Sequence, residues 1–75
     1  MKHGTKVIFT RRVHYNEIFA IEDKENPVLV CKGDMGVVSI INSGQYERET
    51  IVMDDDATTD PYGYVYPKDS YKEYK

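Results

Sequence analysis

The stretch that decides the fold is Cys31-Lys32-Gly33-Asp34-Met35-Gly36-Val37-Val38-Ser39-Ile40-Ile41, where a glycine-framed turn leads into a run of mostly β-branched residues. Glycine permits a positive φ angle, and the Asp34 side chain can accept a hydrogen bond from nearby backbone, so residues 32–35 have the composition of a tight turn. β-Branched residues favour extended strands. We therefore predict a hairpin whose two strands are residues 28–31 and 36–41.

The remaining sequence is typical of further short strands. Residues 5–13 and 46–53 alternate between two sets of side chains with a period of two, which predicts a first and a last barrel strand. The turn residues at 42–45 indicate that the third and fourth predicted strands pair. Residues 17–21 are predicted as a short strand or one helical turn, and residues 61–67 as a short edge strand bounded by prolines. The chain is therefore predicted to be all-β, with about five short antiparallel strands.

Length and composition limit the class of protein. The chain has 75 residues, of which 40% are hydrophobic and 31% charged, so we expect one small domain without a deep substrate cleft. Its single cysteine, Cys31, has no partner for a disulfide and lies in a predicted apolar strand, where we expect an inert thiol. No apolar run is long enough to span a membrane, and none follows the N-terminus as in a secretory signal. We expect a cytoplasmic protein that has no membrane partner.

Charge is distributed unevenly along the chain. The charged residues up to His14 are all basic, whereas residues 54–75 contain six acidic and three basic residues and account for the whole net charge of −3. Three interpretations are open: an anionic partner at the basic segment, a basic partner at the acidic segment, or internal pairing of the two.

Three short motifs resemble a known family. Gly4-Thr5-Lys6-Val7, then Lys32-Gly33-Asp34-Met35-Gly36-Val37-Val38, then Ile51-Val52-Met53-Asp54-Asp55 are similar to the glycine-framed turns and acid-ended strand of SH3-like small barrels. That family includes the KOW-type domains of ribosomal and transcription-elongation proteins and small proteins of phages and mobile elements. The resemblance covers residues 4–56. It implies a small, partly open SH3-like barrel over residues 1–56, and we expect residues 57–75 to form an ordered, acidic, tyrosine-rich C-terminal extension.

No pattern of catalytic or metal-binding residues is present in the sequence. The two histidines have no nucleophile in a reactive setting, so we predict that the protein is not an enzyme and uses no cofactor. The aspartates at 54–56 and 60 lack the glycine and glutamate that a calcium-binding loop requires, because Thr59 and Val65 occupy those positions. We predict no metal site.

The acidic extension is the predicted site of function. Five of the seven tyrosines fall within the last fourteen residues, and tyrosine contributes large contact areas to protein interfaces. An acidic and aromatic strip can imitate nucleic acid. We predict a non-enzymatic module that binds a host or cellular protein with a basic surface, such as a phage or mobile-element modulator or inhibitor. The candidate partner-binding residues are Asp54, Asp55, Asp56, Asp60, Tyr62, Tyr64 and Tyr66.

Two alternatives remain open. The tyrosines can instead cap one open end of the barrel. The protein can also be a nucleic-acid or ribosome-associated domain of the KOW type, which would contact phosphates through basic side chains near the start of the chain and in the turn. Because the net charge is negative, we rank nucleic-acid binding second, after protein binding. The candidate phosphate-binding residues are Lys6, Arg11, Arg12 and Lys32.

Overall fold

In the part of the chain that the structure describes, the strands form two antiparallel sheets. The computed structural model describes residues 1–19, 27–56 and 62–75. Its strands are β1 (Lys6–Phe9), β2 (Val13–His14), β3 (Val28–Val30), β4 (Met35–Ser43), β5 (Tyr46–Met53) and β6 (Tyr71–Glu73). Four strands form one sheet in the order β5-β4-β1-β6, and β2 pairs with β3. The only helical elements of the described residues are 3₁₀ turns, at Tyr15–Glu17, Asp54–Asp56 and Lys68–Ser70. The prediction of an all-β fold is confirmed: the described residues form six strands and a barrel that does not close.

The β4–β5 hairpin is the longest element. Its strands pair from Gly36 opposite Met53 to Ser43 opposite Tyr46 without interruption. The turn between them contains Gly44, whose φ is +63°, and a positive φ suits the turns of tight hairpins. The predicted pairing of these two strands is confirmed.

The predicted hairpin between residues 28–31 and 36–41 is wrong. β3 pairs with β2, where Val13 lies opposite Val30, and β4 pairs with β1, where Val7 lies opposite Gly36. The turn itself has its expected conformation: Gly33 has φ +95°, and the Cys31 amide donates to Asp34 Oδ2 at 2.9 Å. The Gly33 amide donates to the carbonyl of Phe9, at the end of β1. β1 therefore occupies the place beside β4 that β3 would have taken.

Two other predicted elements differ from the observed ones. The predicted strand over residues 5–13 is split into β1 and β2, because the chain changes sheets after Phe9. Of the segment at 17–21, the described part contains the end of a 3₁₀ turn at Tyr15–Glu17, and residues 20 and 21 lie outside the described residues.

The C-terminal part of the chain crosses the sheet from one edge to the other. The predicted edge strand at 61–67 is reduced, within the described residues, to one bridge between Tyr64 and Ile51 of β5. The chain then reaches the opposite edge, where β6 pairs with β1 and Phe9 lies opposite Tyr71.

The core contains side chains from the barrel and from the predicted extension. Phe9 contacts the ring of Tyr66 at a centroid distance of 4.9 Å and that of Tyr71 at 5.7 Å. Buried aromatic pairs contribute both apolar area and favourable ring geometry. The described part of the extension therefore packs into the same core as the sheet. The buried hydrophobic residues are Val7, Phe9, Val13, Val30, Val38, Ile51, Tyr66 and Tyr71.

Candidate protein-binding surface

Ion pairs join the basic start of the chain to the acidic end. Lys6 pairs with Asp54, and Arg11 Nη2 lies 3.1 Å from Asp69 Oδ1. The hydrogen bond to Arg11 lowers the pKa of Asp69 below its ordinary value. For these residues, internal pairing of the basic and acidic segments therefore accounts for the charge pattern. Lys6, a predicted phosphate-binding residue, and Asp54, a predicted partner-binding residue, contact each other.

Arg11 holds three segments of the chain together. Its guanidinium donates to the Arg12 carbonyl at 2.9 Å, pairs with Glu17 at 3.0 Å and reaches Asp69 in the C-terminal segment. Glu17 also accepts the His14 amide at 2.8 Å, and this backbone hydrogen bond, with Arg11, lowers the pKa of Glu17. Arg11 thus links the connection after β1, the first 3₁₀ turn and the tail.

Three of the four predicted phosphate-binding residues line one open groove. Arg12 and Lys32 are exposed there, and neither makes an ion pair with any described residue. Cys31 is also exposed, so its predicted position within an apolar strand is wrong, because β3 ends one residue earlier. The groove is lined by Thr10, Arg11, Arg12, His14, Cys31 and Lys32.

The predicted tyrosines differ sharply in exposure. Tyr62 is 69% exposed and Tyr64 37%, whereas Tyr66 is only 3% exposed and belongs to the core. Tyr66 therefore packs inside the core against Phe9, and its ring is not on the surface. Asp54 and Asp55 are exposed. Asp56 ends the 3₁₀ turn Asp54–Asp56, and Asp60 lies outside the described residues.

Aromatic rings connect the exposed Tyr64 to the core. Phe19 contacts Tyr64 edge-on at 5.2 Å and stacks with Tyr15 at 5.8 Å, while Tyr64 contacts the buried Tyr66 at 6.4 Å. Sequence reasoning missed Tyr15 and Phe19. Their spacing of four residues, which brings side chains together on a helical turn, was the available signal. We define the aromatic surface as Tyr15, Phe19, Tyr62 and Tyr64.

The backbone under this surface is fixed to β5. The Ile51 amide donates to the Tyr64 carbonyl at 2.9 Å, and the Thr50 hydroxyl donates to the Tyr62 carbonyl at 2.7 Å. Asp54 follows Ile51 by three residues, or about 10 Å along an extended chain. The exposed tyrosines are therefore preorganised close to the acidic turn.

Glu49 fastens the C-terminal segment to β5 at a second point. Its carboxylate accepts hydrogen bonds from the Met1 amine at 2.7 Å, from the Tyr71 hydroxyl at 2.7 Å and from Lys68. The hydrogen bond from Lys68, followed by that from the amine, lowers the pKa of Glu49 from 4.5 to about 2. Burial raises the pKa of Tyr71.

We expect protein stability to fall as the pH is lowered from 4.5 towards 2, the two pKa values of Glu49. Because folding depresses the pKa, the contribution is complete above the higher value and is lost on protonation. The difference between the two pKa values corresponds to about 3 kcal/mol, and screening of the exposed Lys68 by solvent should reduce the contribution to about 2 kcal/mol. Urea unfolding of Glu49→Gln between pH 7 and 2 should show a weaker pH dependence than the wild type. Glu47→Gln, the exposed neighbour on the same strand, should retain the wild-type pH dependence of stability. If Glu49→Gln also retained it, Glu49 would not be the source of the loss of stability at low pH.

Comparisons with known proteins identify no relative. No family model matches the chain, and neither a curated protein nor a solved structure is significantly similar to it. Within residues 1–19, 27–56 and 62–75, no cluster of three or more His, Cys, Asp or Glu side chains is arranged to hold a metal ion. None of the helical turns in the described segments has the length and apolar character needed to cross a membrane.

Proposed function

We propose that this protein is a non-enzymatic protein-binding module that modulates or inhibits another cellular protein, as small proteins of phages and mobile elements do, and that the aromatic surface makes the contact. The observation that supports the proposal is the exposure of Tyr62 and Tyr64, at 69% and 37%, on a backbone that is hydrogen-bonded to β5. The surface differs from the one expected from sequence, since Tyr66 is replaced by Tyr15 and Phe19.

The physical argument concerns the cost of binding. Association loses free energy when side chains and loops must become ordered, and a surface that is already held avoids part of that cost. Tyrosine also has few rotatable bonds for its contact area. Ring contacts with Phe19 and Tyr66 hold Tyr64 in place before a partner arrives.

Charge favours a partner with a basic surface. Asp55 is exposed and makes no ion pair with any described residue, and the chain carries a net charge of −3. Complementary charge raises the rate of association and selects among partners. The exposed acidic turn therefore adds selectivity to the contact area of the rings.

Nucleic-acid binding is the second candidate. The exposed Arg12 and Lys32 in one groove favour it, and phosphate contacts are commonly made by such side chains. Internal carboxylates already pair with Lys6 and Arg11, however, and a phosphate would have to compete with them. This competition ranks the groove below the aromatic surface.

A capture experiment tests the proposal. The tagged protein is used as bait in a lysate of its host cells, with and without nuclease, and the captured protein is then titrated. The double variant Tyr62→Ala/Tyr64→Ala should bind at least about tenfold more weakly, because interface tyrosines commonly contribute about 2 kcal/mol. Tyr46→Ala is the matched control, since Tyr46 is 73% exposed in a different part of the sheet.

Two results would contradict the proposal. Capture that disappears on nuclease treatment would move the function to the groove of Arg12 and Lys32. Equal affinity of the double variant and the wild type would show that the partner binds elsewhere. Thermal unfolding of each variant ensures that a loss of binding is not a loss of folding.

A further inference from the structure

The first strand of the sheet is shorter than the strand beside it. β4 contains nine residues, whereas β1 contains four. Backbone hydrogen bonds between the two segments continue as far as Val38, whose amide donates to the Thr5 carbonyl at 2.9 Å and whose carbonyl accepts the Gly4 amide at 2.8 Å. The next amide of β4 on this side belongs to Ile40, because backbone groups alternate between the two sides of a strand. It lies beyond the end of β1.

His3 provides the acceptor for this amide with its side chain. The Ile40 amide donates to Nδ1 of His3 at 3.1 Å. The chain turns just after His3, at Gly4, whose φ is +90°, and the Thr5 amide closes the turn by donating to the Lys2 carbonyl at 3.1 Å. An imidazole nitrogen thus takes the place of a strand carbonyl.

Residues 1–4, which we call the N-terminal strap, connect β4 to β5. The amine of Met1 pairs with Glu49 at 2.7 Å, and Glu49 lies opposite Ile40 in the register of β4 and β5. Met1 and Ile40 also line one open groove. The strap is therefore fastened by the side chain of His3 and by the amine, and it forms part of the wall of this groove.

The hydrogen bond at His3 requires a neutral imidazole. A ring nitrogen that accepts a hydrogen bond carries no proton, whereas both nitrogens of an imidazolium are donors. Histidine is the side chain that ordinarily changes its charge between pH 5 and 8. Protonation of Nδ1 would set two N–H groups against each other and break the contact with Ile40. The closed strap thus binds the neutral form, so this contact is complete at the alkaline end of the range and is lost as the pH falls.

The charged groups around the strap do not offer the imidazolium a free partner. β4 carries no titratable side chain. Glu49 already accepts three donors, and the hydrogen bonds from Lys68 and the amine lower its pKa to about 2, so it stays ionised while a histidine titrates. Cations outnumber carboxylates among the surrounding groups. These groups are the Met1 amine and Lys2 on the strap, Lys6 on β1, Glu47, Arg48 and Glu49 on β5, and Lys68 and Tyr71 in the C-terminal segment.

We propose that His3 is a pH-dependent latch: the neutral side chain fastens the N-terminal strap to β4, and the protonated side chain releases it, which exposes the Ile40 amide and widens the groove beside it. Mild acid thus converts a strap that is held at two points into one that is held only by its amine. The latch is separate from the aromatic surface and does not depend on the function proposed there.

Amide hydrogen exchange of the isotopically labelled full chain, followed by NMR, tests the latch at a single residue. After correction for the intrinsic exchange rate, the protection of the Ile40 amide should fall about fivefold from about pH 7.5 to about pH 5.5, because one hydrogen bond typically contributes such a factor. The Val38 amide is the internal control. Its acceptor is the Thr5 carbonyl, which does not titrate, so its protection should stay constant.

Three variants separate the charge of His3 from its place in the fold. In His3→Asn the side-chain oxygen takes the position of Nδ1 and accepts at every pH, so the protection of Ile40 should no longer depend on pH. His3→Ala has no acceptor, and the protection should be low at both pH values. His14→Gln changes the only other histidine and should retain the wild-type pH dependence.

Four outcomes would overturn the proposal. Equal protection of Ile40 at the two pH values would show that the contact does not depend on protonation. A parallel fall for Ile40 and Val38 would show that the whole sheet loosens in acid. A wild-type pH dependence in His3→Asn would exclude His3 as the titrating group, and its loss in His14→Gln would assign the titration to His14.

Discussion

Deletion of residues 62–75 should unfold the protein instead of leaving a folded barrel. The deletion removes Tyr66 and Tyr71, which contact Phe9 in the core, and the completely buried Ser70. Loss of a buried aromatic side chain commonly costs about 3–5 kcal/mol, and two such losses approach the whole stability of a small domain, about 5–15 kcal/mol. The β6–β1 pairing is lost as well.

Circular dichroism and a two-dimensional amide NMR spectrum would measure this effect. The truncated chain should show neither a cooperative thermal transition nor dispersed amide signals. Deletion of Tyr74 and Lys75 alone is the control, because both are exposed. Among hydrogen bonds to described residues, this deletion removes the one from the Tyr74 amide to the Lys6 carbonyl. A cooperative transition at the wild-type temperature in the longer deletion would instead support a separate barrel over residues 1–56.

Local patterns in the sequence predicted the elements that depend on local interactions. The period-two alternation of residues 46–53 and the turn before it were enough to predict β5 and its pairing with β4. The turn at Gly33 was predicted for the same reason, since its positive φ and the Asp34 hydrogen bond involve neighbouring residues.

The partners of β3 and β4 could not be predicted in this way. Both runs are β-branched, and nothing in their patterns distinguishes pairing with each other from pairing with β2 and β1. Long-range packing determines which strands pair, because Phe9 of β1 is buried beside Tyr66 and Tyr71, more than fifty residues further along the chain. The turn then closes on Phe9 through the Gly33 amide.

The sequence predicted which residues belong to the candidate site, but not which of them contact each other or are exposed. The sequence identified Lys6 and Asp54 as charged candidates, but their pairing across 48 residues depends on the fold. Tyr64 and Tyr66 are two residues apart in an extended segment, where alternation predicts the same side, yet their exposures are 37% and 3%. The difference arises because the chain leaves β5 after Tyr64 and crosses over the core.

Alanine substitutions at three glycines should destabilise the protein to different extents for different reasons. Gly33 has φ +95° and nothing within 4 Å of an added Cβ, so only backbone strain, about 1–2 kcal/mol, is expected. Gly36 has an ordinary φ, but its Cβ would lie 2.7 Å from both Ile51 Cγ2 and the Val52 carbonyl oxygen. Because the carbonyl oxygen belongs to a paired strand and cannot move away, the crowding should cost about 3 kcal/mol.

Gly63 combines both effects and should give the largest loss. Its φ is +68°, and an added Cβ would overlap the Ile51 carbonyl at the bridge to Tyr64. In urea unfolding, the free energy of unfolding should be highest for Gly33→Ala, lower for Gly36→Ala and lowest for Gly63→Ala. Gly44→Ala is the control. Gly44 also has a positive φ and open space around it, so this variant should be about as stable as Gly33→Ala. If Gly63→Ala were as stable as Gly44→Ala, residues 62–64 would not lie against β5. Tyr62 and Tyr64 would then lack the fixed backbone on which the proposed function depends.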